Sequence, residues 1–138
     1  MNTLERKLPI GIQTFEKMRA EGCLYVDKTA IIYQIVATKV PYFLSRPRRF
    51  GKSLLISTFE AYFQGRKDLF EGLAIEKLET KWEQYPVLHL DLNAEKYDSP
   101  KGLHAILSNH LTQWEAKYGK GDDELTLSNR FMGVIRRA

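Results

Sequence analysis

Gly51, Lys52 and Ser53 are the residues of this 138-residue chain whose types and order could do chemistry. A glycine lets the backbone approach an anion without a Cβ in the way. Backbone N–H groups at a helix start, aided by the positive end of the helix dipole, cradle phosphate oxygens. Lys52 would then set an ammonium on the β and γ phosphates of a nucleoside triphosphate, with the Ser53 hydroxyl available to Mg2+. The full phosphate-loop (Walker A) pattern is G-x-x-x-x-G-K-[ST]. Here Arg46 stands at its first glycine position and the rigid Pro47 follows. The loop must therefore turn differently or widen. Gly-Lys-Ser alone also fits a solvated basic turn, so the flanking elements decide between the two readings.

Lysine and arginine number 21 against 17 acids, a net charge of +4. The whole excess lies in Arg46-Pro47-Arg48-Arg49-Phe50-Gly51-Lys52, which holds four cations and no acid. A general basic coat for nucleic acid is not indicated; a concentrated anion at one loop is. Arg48 and Arg49 admit two readings, as solvated loop charges or as cations facing phosphates or an acidic partner.

A phosphate loop needs a buried strand before it and a helix after it. Val40-Pro41-Tyr42-Phe43-Leu44 is a compact apolar run predicted as a strand, with a proline near its start. From Lys52 onward, Leu54, Leu55, Ile56, Phe59, Tyr62 and Phe63 form a helical stripe closed by Gly65. Upstream, Ile12, Phe15 and Met18 predict a short helix ending near Gly22. Asp27 stands as N-cap before a helix through Ile31, Ile32, Ile35 and Val36. Downstream, Leu69 to Leu73 reads as a turn, and a short polar helix follows near Glu76 to Trp82. Val87 to Leu92 is predicted as a second strand. Asp98-Ser99-Pro100 then opens a long helix carrying Leu103, Ile106, Leu107, Leu111 and Trp114. Asp122, Asp123 and Glu124 suit a helix start better than a metal site, and a last helix begins near Leu125 or Ser128. This order of elements predicts the α/β class.

The segment Leu44-Ser45-Arg46-Pro47-Arg48-Arg49-Phe50-Gly51-Lys52-Ser53-Leu54 resembles the AAA-ATPase-like family of bacterial and archaeal proteins. The phosphate loop of that family reads Ser-Arg-Pro-Arg-Arg-Phe-Gly-Lys-Ser, so the arginine at position 46 is the family's own pattern. Leu8-Pro9-Ile10-Gly11-Ile12 with Phe15 is similar to the family's opening, and Tyr25-Val26-Asp27-Lys28-Thr29 to its next motif. Leu69-Phe70-Glu71-Gly72-Leu73 and Tyr85-Pro86-Val87-Leu88-His89-Leu90-Asp91 are similar to the segments that follow. The resemblance is dense over residues 8 to 92 and loose beyond.

That resemblance implies a three-layer α/β/α P-loop NTPase fold, of which residues 1–138 would be the N-terminal part, truncated before the Walker B strand. It implies ATP and Mg2+ as ligands. Arg48, Arg49, Phe50, Gly51, Lys52, Ser53 and Leu54 would hold the nucleotide, and Ser53 the metal. No catalytic residue is assigned, because the family's Walker B strand, of the form Leu-Ile-Asp-Glu-Tyr-Asp, is absent from this chain. Val87 to Asp91 could be read as Walker B, but Leu92 stands where the glutamate belongs, and a core strand is the favoured reading. ATP binding without hydrolysis by this chain alone is the expectation. Two strands separated in the sheet could not pair with each other, so self-association or a complementing ATPase segment is expected. Many family members also carry a nuclease-like domain. The alternatives are an interaction module whose basic loop binds nucleic acid or an acidic partner, and a non-functional remnant.

The remaining residues of interest have plainer readings. His89 fits a core histidine, and His104 and His110 are spaced so that one helix face does not hold both. Trp82 and Trp114 follow core spacing. Tyr25 and its neighbours either pack the core or, by the resemblance, line the base side of a nucleotide. Cys23 is the only cysteine, so an internal disulfide is impossible and a reducing, cytoplasmic setting is expected. No apolar run approaches the ~18 residues of a membrane span, and the residues around Glu5 lack the apolar core of a secretory leader.

Overall fold

The structure, a computed structural model, describes residues 6–93 and 98–138. Among the described residues the helices are α1 (Phe15–Ala20), α2 (Thr29–Thr38), α3 (Lys52–Phe63), α4 (Ala74–Leu78), α5 (Pro100–Tyr118) and α6 (Leu127–Arg137), with a 3-10 turn at Lys67–Phe70. The chain divides into two compact units, Met1–Val87 and Leu88–Ala138. Among the described residues no helix is long and apolar enough to cross a membrane.

The first unit is built on aromatic packing. α1 packs on α3 and α2 on α4, around a core of Phe15, Ile32, Tyr62, Leu69, Phe70 and Ile75. The Phe15 ring lies 4.8 Å from that of Phe70 and 5.2 Å from that of Tyr25, and Trp82 lies 5.2 Å from Phe70. Polar clasps then hold the short elements that propensity alone would leave marginal. Asp27 accepts from Thr29 N–H with one carboxylate oxygen (2.9 Å) and from Ala74 N–H with the other (2.7 Å). The fully buried Thr29 hydroxyl accepts from Ile75 N–H (3.1 Å). These bonds tie Tyr25-Val26-Asp27-Lys28-Thr29 to the start of α4. Burial opposes the charge on Asp27, but the bonds from Thr29 and Ala74 hold its carboxyl below the usual range. Asp27 thus engages the first N–H of both α2 and α4, but it stands one residue before the position expected of it, since the N-cap of α2 is Lys28. The side chain of Arg19 closes the other side, with Nε donating to the Leu69 carbonyl (2.7 Å).

The second unit is a helical hairpin. Ser99 accepts from Gly102 N–H, and Pro100 opens α5 where its missing N–H costs nothing. Ile106 and Leu111 of α5 and Val134 of α6 are buried. Arg130 grips Glu115 through Nε (2.7 Å) and Nη2 (2.8 Å), with both side chains largely removed from solvent. Glu124 does not start a helix: it grips Arg137 (2.7 and 2.8 Å) and accepts from Gly121 N–H, fastening the turn to α6. The Arg137 guanidinium pulls the Glu124 carboxyl down to about 2. A carboxyl depressed on folding stabilises the folded state above its unfolded pKa, near 4.3, and loses that effect as pH falls towards 2. The hairpin is therefore expected to weaken between those pH values, and Glu124→Gln to flatten that part of the curve. Helix content followed by circular dichroism against pH checks this.

The expected α/β/α sheet is not present. The described residues contain no strand, so the fold is not that of a three-layer P-loop NTPase. Val40 to Leu44 and Val87 to Leu92 lie outside helices but form no ladder, and Phe43 is 93% exposed. An apolar run without helical period specifies backbone conformation, while a strand exists only where a second strand supplies its hydrogen bonds. The expected order of elements also fails at Glu76 to Trp82, where α4 stops at Leu78. Glu79 there accepts from Lys81 N–H (2.9 Å) and from the Tyr62 hydroxyl, and these bonds replace a further helical turn. His89 is exposed, not a core histidine.

Exposed apolar backbone of this kind promotes pairing with other chains. The protein is expected to associate as its concentration rises, and Phe43→Lys to shift that onset upward. Sedimentation velocity over a concentration series is the check, and a wild type that stays monomeric throughout would oppose it.

Candidate functional site

The basic loop leads directly into α3. Ser45 to Ser53 are all exposed, and Leu54 is half-buried against the first unit's core. The turn that a glycine at position 46 would make is made later, by Arg49 (φ 65°) and Gly51 (φ 78°) in the left-handed region. The Arg46 side chain reaches back across it, with Nη1 donating to the Phe50 carbonyl (3.3 Å). Arg46 therefore braces a loop whose first glycine it replaces. The space where a Cβ on Gly51 would sit is open, with nothing within 4 Å.

α3 differs from the other α-helices in how it starts. Phe15 N–H of α1 donates to Ser57 Oγ (2.8 Å), and Thr29 N–H of α2 donates to Asp27. Asp27 and Thr29 cap α4, Ser99 caps α5, and Thr126 caps α6. At α3 no side chain among the described residues accepts from the first turn. The positive end of a 12-residue dipole stands behind its first-turn N–H groups. Around them, Arg48, Arg49 and Lys52 form no ion pair among the described residues, and the Ser53 hydroxyl has no hydrogen-bond partner there. Chemically this helix start presents positive charge and a hydroxyl that no other side chain among the described residues engages.

Phe50, Gly51 and Leu54 also wall a cavity of about 260 Å³, together with Pro9, Leu24 and Tyr25. Burial pushes the Tyr25 hydroxyl up, partly offset by its hydrogen bond with Thr58. The structure thus joins the loop, the opening Leu-Pro-Ile-Gly-Ile motif and the Tyr-Val-Asp-Lys-Thr motif at one place. Pro9 and Leu24 escape residue-by-residue reading because they are apolar and carry no chemical signature. Only the cavity reveals them. A larger cavity, about 530 Å³ among Tyr33, Tyr62, Glu79 and Tyr85, shares no residue with the loop. No group of histidine, cysteine and acidic residues suited to a metal ion occurs among the described residues.

Comparison with known proteins agrees with the motifs. The family model described as predicted AAA-ATPase matches residues 9–138, and the chain belongs to the AAA-ATPase-like family. It is 37% identical over 137 residues to an uncharacterized protein in the vnfD 5'region of Azotobacter chroococcum mcd 1. That match takes in 96% of this chain but 26% of the relative, so the chain spans about a quarter of the relative's length. No solved structure matches it.

Proposed function

We propose that this chain binds ATP with Mg2+ through its basic loop, as a variant Walker A site. The observation that carries the reading is the uncapped start of α3, open at Gly51 and surrounded by unpaired cations. Triphosphate oxygens would lie on the N–H groups of the first turn, with the Lys52 ammonium on the outer phosphates. Arg48 and Arg49 add positive charge on the loop side, and Phe50 and Leu54 flank the site. Ser53 is the residue placed to contribute its hydroxyl to magnesium, which when bound would neutralise phosphate charge. The family's description supports a nucleotide ligand. Hydrolysis by this chain alone is not part of the proposal, since Lys52 and Ser53 face only the phosphates and the metal.

The test is direct titration calorimetry with ATP and magnesium, set beside a short DNA duplex. Saturable ATP binding at a stoichiometry of one, little affected by DNA, is the expected result. Duplex binding that falls steeply with salt, with no response to ATP, would instead identify the loop as a nucleic-acid contact.

A further inference from the structure

We infer that the cavity of about 530 Å³ in the first unit is a binding site for a quaternary ammonium ion, separate from the proposed phosphate site. It shares no residue with the basic loop, so it does not depend on that reading. Its volume lies within the roughly 300–1,000 Å³ typical of sites that enclose a small-molecule ligand. Tyr33, Tyr62, Phe63 and Tyr85 supply four aromatic rings to its wall. Tyr62 stands edge-to-face against Phe63, with centroids 5.3 Å apart and planes at 77°. Phe63 and Tyr85 repeat the arrangement at 6.0 Å and 87°. Rings set nearly at right angles to their neighbours form adjoining walls of a box, and the negative faces of such rings attract a cation.

The charges in the wall select the same class. Glu79 is half-buried, and both its oxygens already accept from the protein, Oε2 from the Tyr62 hydroxyl and Oε1 from Lys81 N–H (2.9 Å). The Tyr62 hydroxyl holds the Glu79 carboxyl below the usual carboxylate range, so its negative charge persists at neutral pH. Burial in turn pushes Tyr62 up and keeps its hydroxyl protonated. At the rim, the Tyr85 hydroxyl donates to Glu83 Oε2 in the same way (2.6 Å). These carboxylates offer charge with much of their hydrogen bonding spent, which matches a cation that carries no N–H. A primary ammonium, with three N–H groups to satisfy, fits less well. Lys39 and Lys81 also line the cavity, yet neither forms an ion pair with Glu79 or Glu83 among the described residues. Both lysines are exposed, so solvent and salt screen their charge more than that of Glu79.

The experiment is an NMR titration of the full chain with choline, with its neutral isostere 3,3-dimethylbutan-1-ol, and with ethanolamine as the primary ammonium. Choline should bind saturably, about tenfold tighter than the neutral alcohol, and tighter than ethanolamine. Glu79→Gln keeps the size of the side chain and an acceptor for Tyr62 but removes the charge. It should weaken choline by about tenfold and leave the alcohol unchanged. Tyr85→Leu alters a rim residue that is 52% exposed, so the fold should tolerate it, and it should weaken choline by about threefold. That variant decides the matter if Glu79→Gln loses the helix content of the wild type. Choline that does not bind, or binds no tighter than the alcohol, would overturn the site. So would choline affinity unchanged in a folded Glu79→Gln or in Tyr85→Leu, and ethanolamine binding as tightly as choline would overturn the quaternary class.

Discussion

Lys52→Ala is expected to abolish the protection that magnesium and ATP give the protein against heat. A ligand that binds only the folded state at a hundred times its Kd stabilises it by about 2.7 kcal/mol. For a small domain a change of that size moves the midpoint by ten degrees or more, about 4–8 °C per kcal/mol. Lys52 is exposed and forms no ion pair among the described residues, so its removal should leave the ligand-free midpoint where it is. The loss then appears only when ATP is present, which separates a binding role from a folding one. Its ammonium would make charge-assisted bonds to phosphate, roughly twice as strong as neutral ones. Lys52→Arg should retain part of the protection. Ser53→Ala should leave protection by ATP without metal unchanged and reduce the further gain on adding magnesium. Scanning calorimetry with and without each ligand reads all three variants. ATP protection of Lys52→Ala equal to that of the wild type would falsify the phosphate site.

What could be read from the residues and what could not follows from how each feature is specified. Ser99-Pro100 and the stripe from Leu54 to Phe63 are local signals, and each appears where its residues place it, while Asp27 bonds the start of α2 from one residue before its N-cap, Lys28. The loop is local too, and its cations and Gly51 stand together at the start of α3. Val40 to Leu44 and Val87 to Leu92 failed as strands for the opposite reason. Their apolar runs constrain the backbone but say nothing of the partner a ladder requires. Glu124 reads as part of a helix start because its acidic neighbours look like a first turn, whereas its partner, Arg137, lies at the far end of α6. Pro9 and Leu24 were invisible as site residues, since a wall is defined by the space in front of it.

Phe15→Ala should strongly destabilise the first unit, and it should reach the proposed site through packing alone. Phe15 is completely buried, and its ring contacts Phe70 and Tyr25, the latter a wall of the cavity beside the loop. Its backbone N–H donates to Ser57 Oγ on α3, so the residue also joins α1 to the helix that opens the site. Truncating a buried phenylalanine costs about 3–5 kcal/mol, the lost transfer energy plus the cavity left behind. A whole small domain is stable by only about 5–15 kcal/mol, so most of the margin would go. Cys23 offers a specific reporter: it is 3% exposed, and its N–H donates to the Met18 carbonyl at the end of α1 (3.1 Å). In the wild type its thiol should react slowly with a disulfide reagent, at a rate set by opening of the unit. In Phe15→Ala the rate should rise by about a hundredfold or more, since each 1.4 kcal/mol multiplies the open population tenfold. Phe15→Leu, which keeps most of the volume, should raise it far less. Both variants keep Gly51, Lys52 and Ser53, so any fall in ATP affinity that tracks the thiol rate measures how far the aromatic core holds the loop in its binding geometry. An unchanged thiol rate in Phe15→Ala would mean that the core around Phe70 and Tyr62 stands without it.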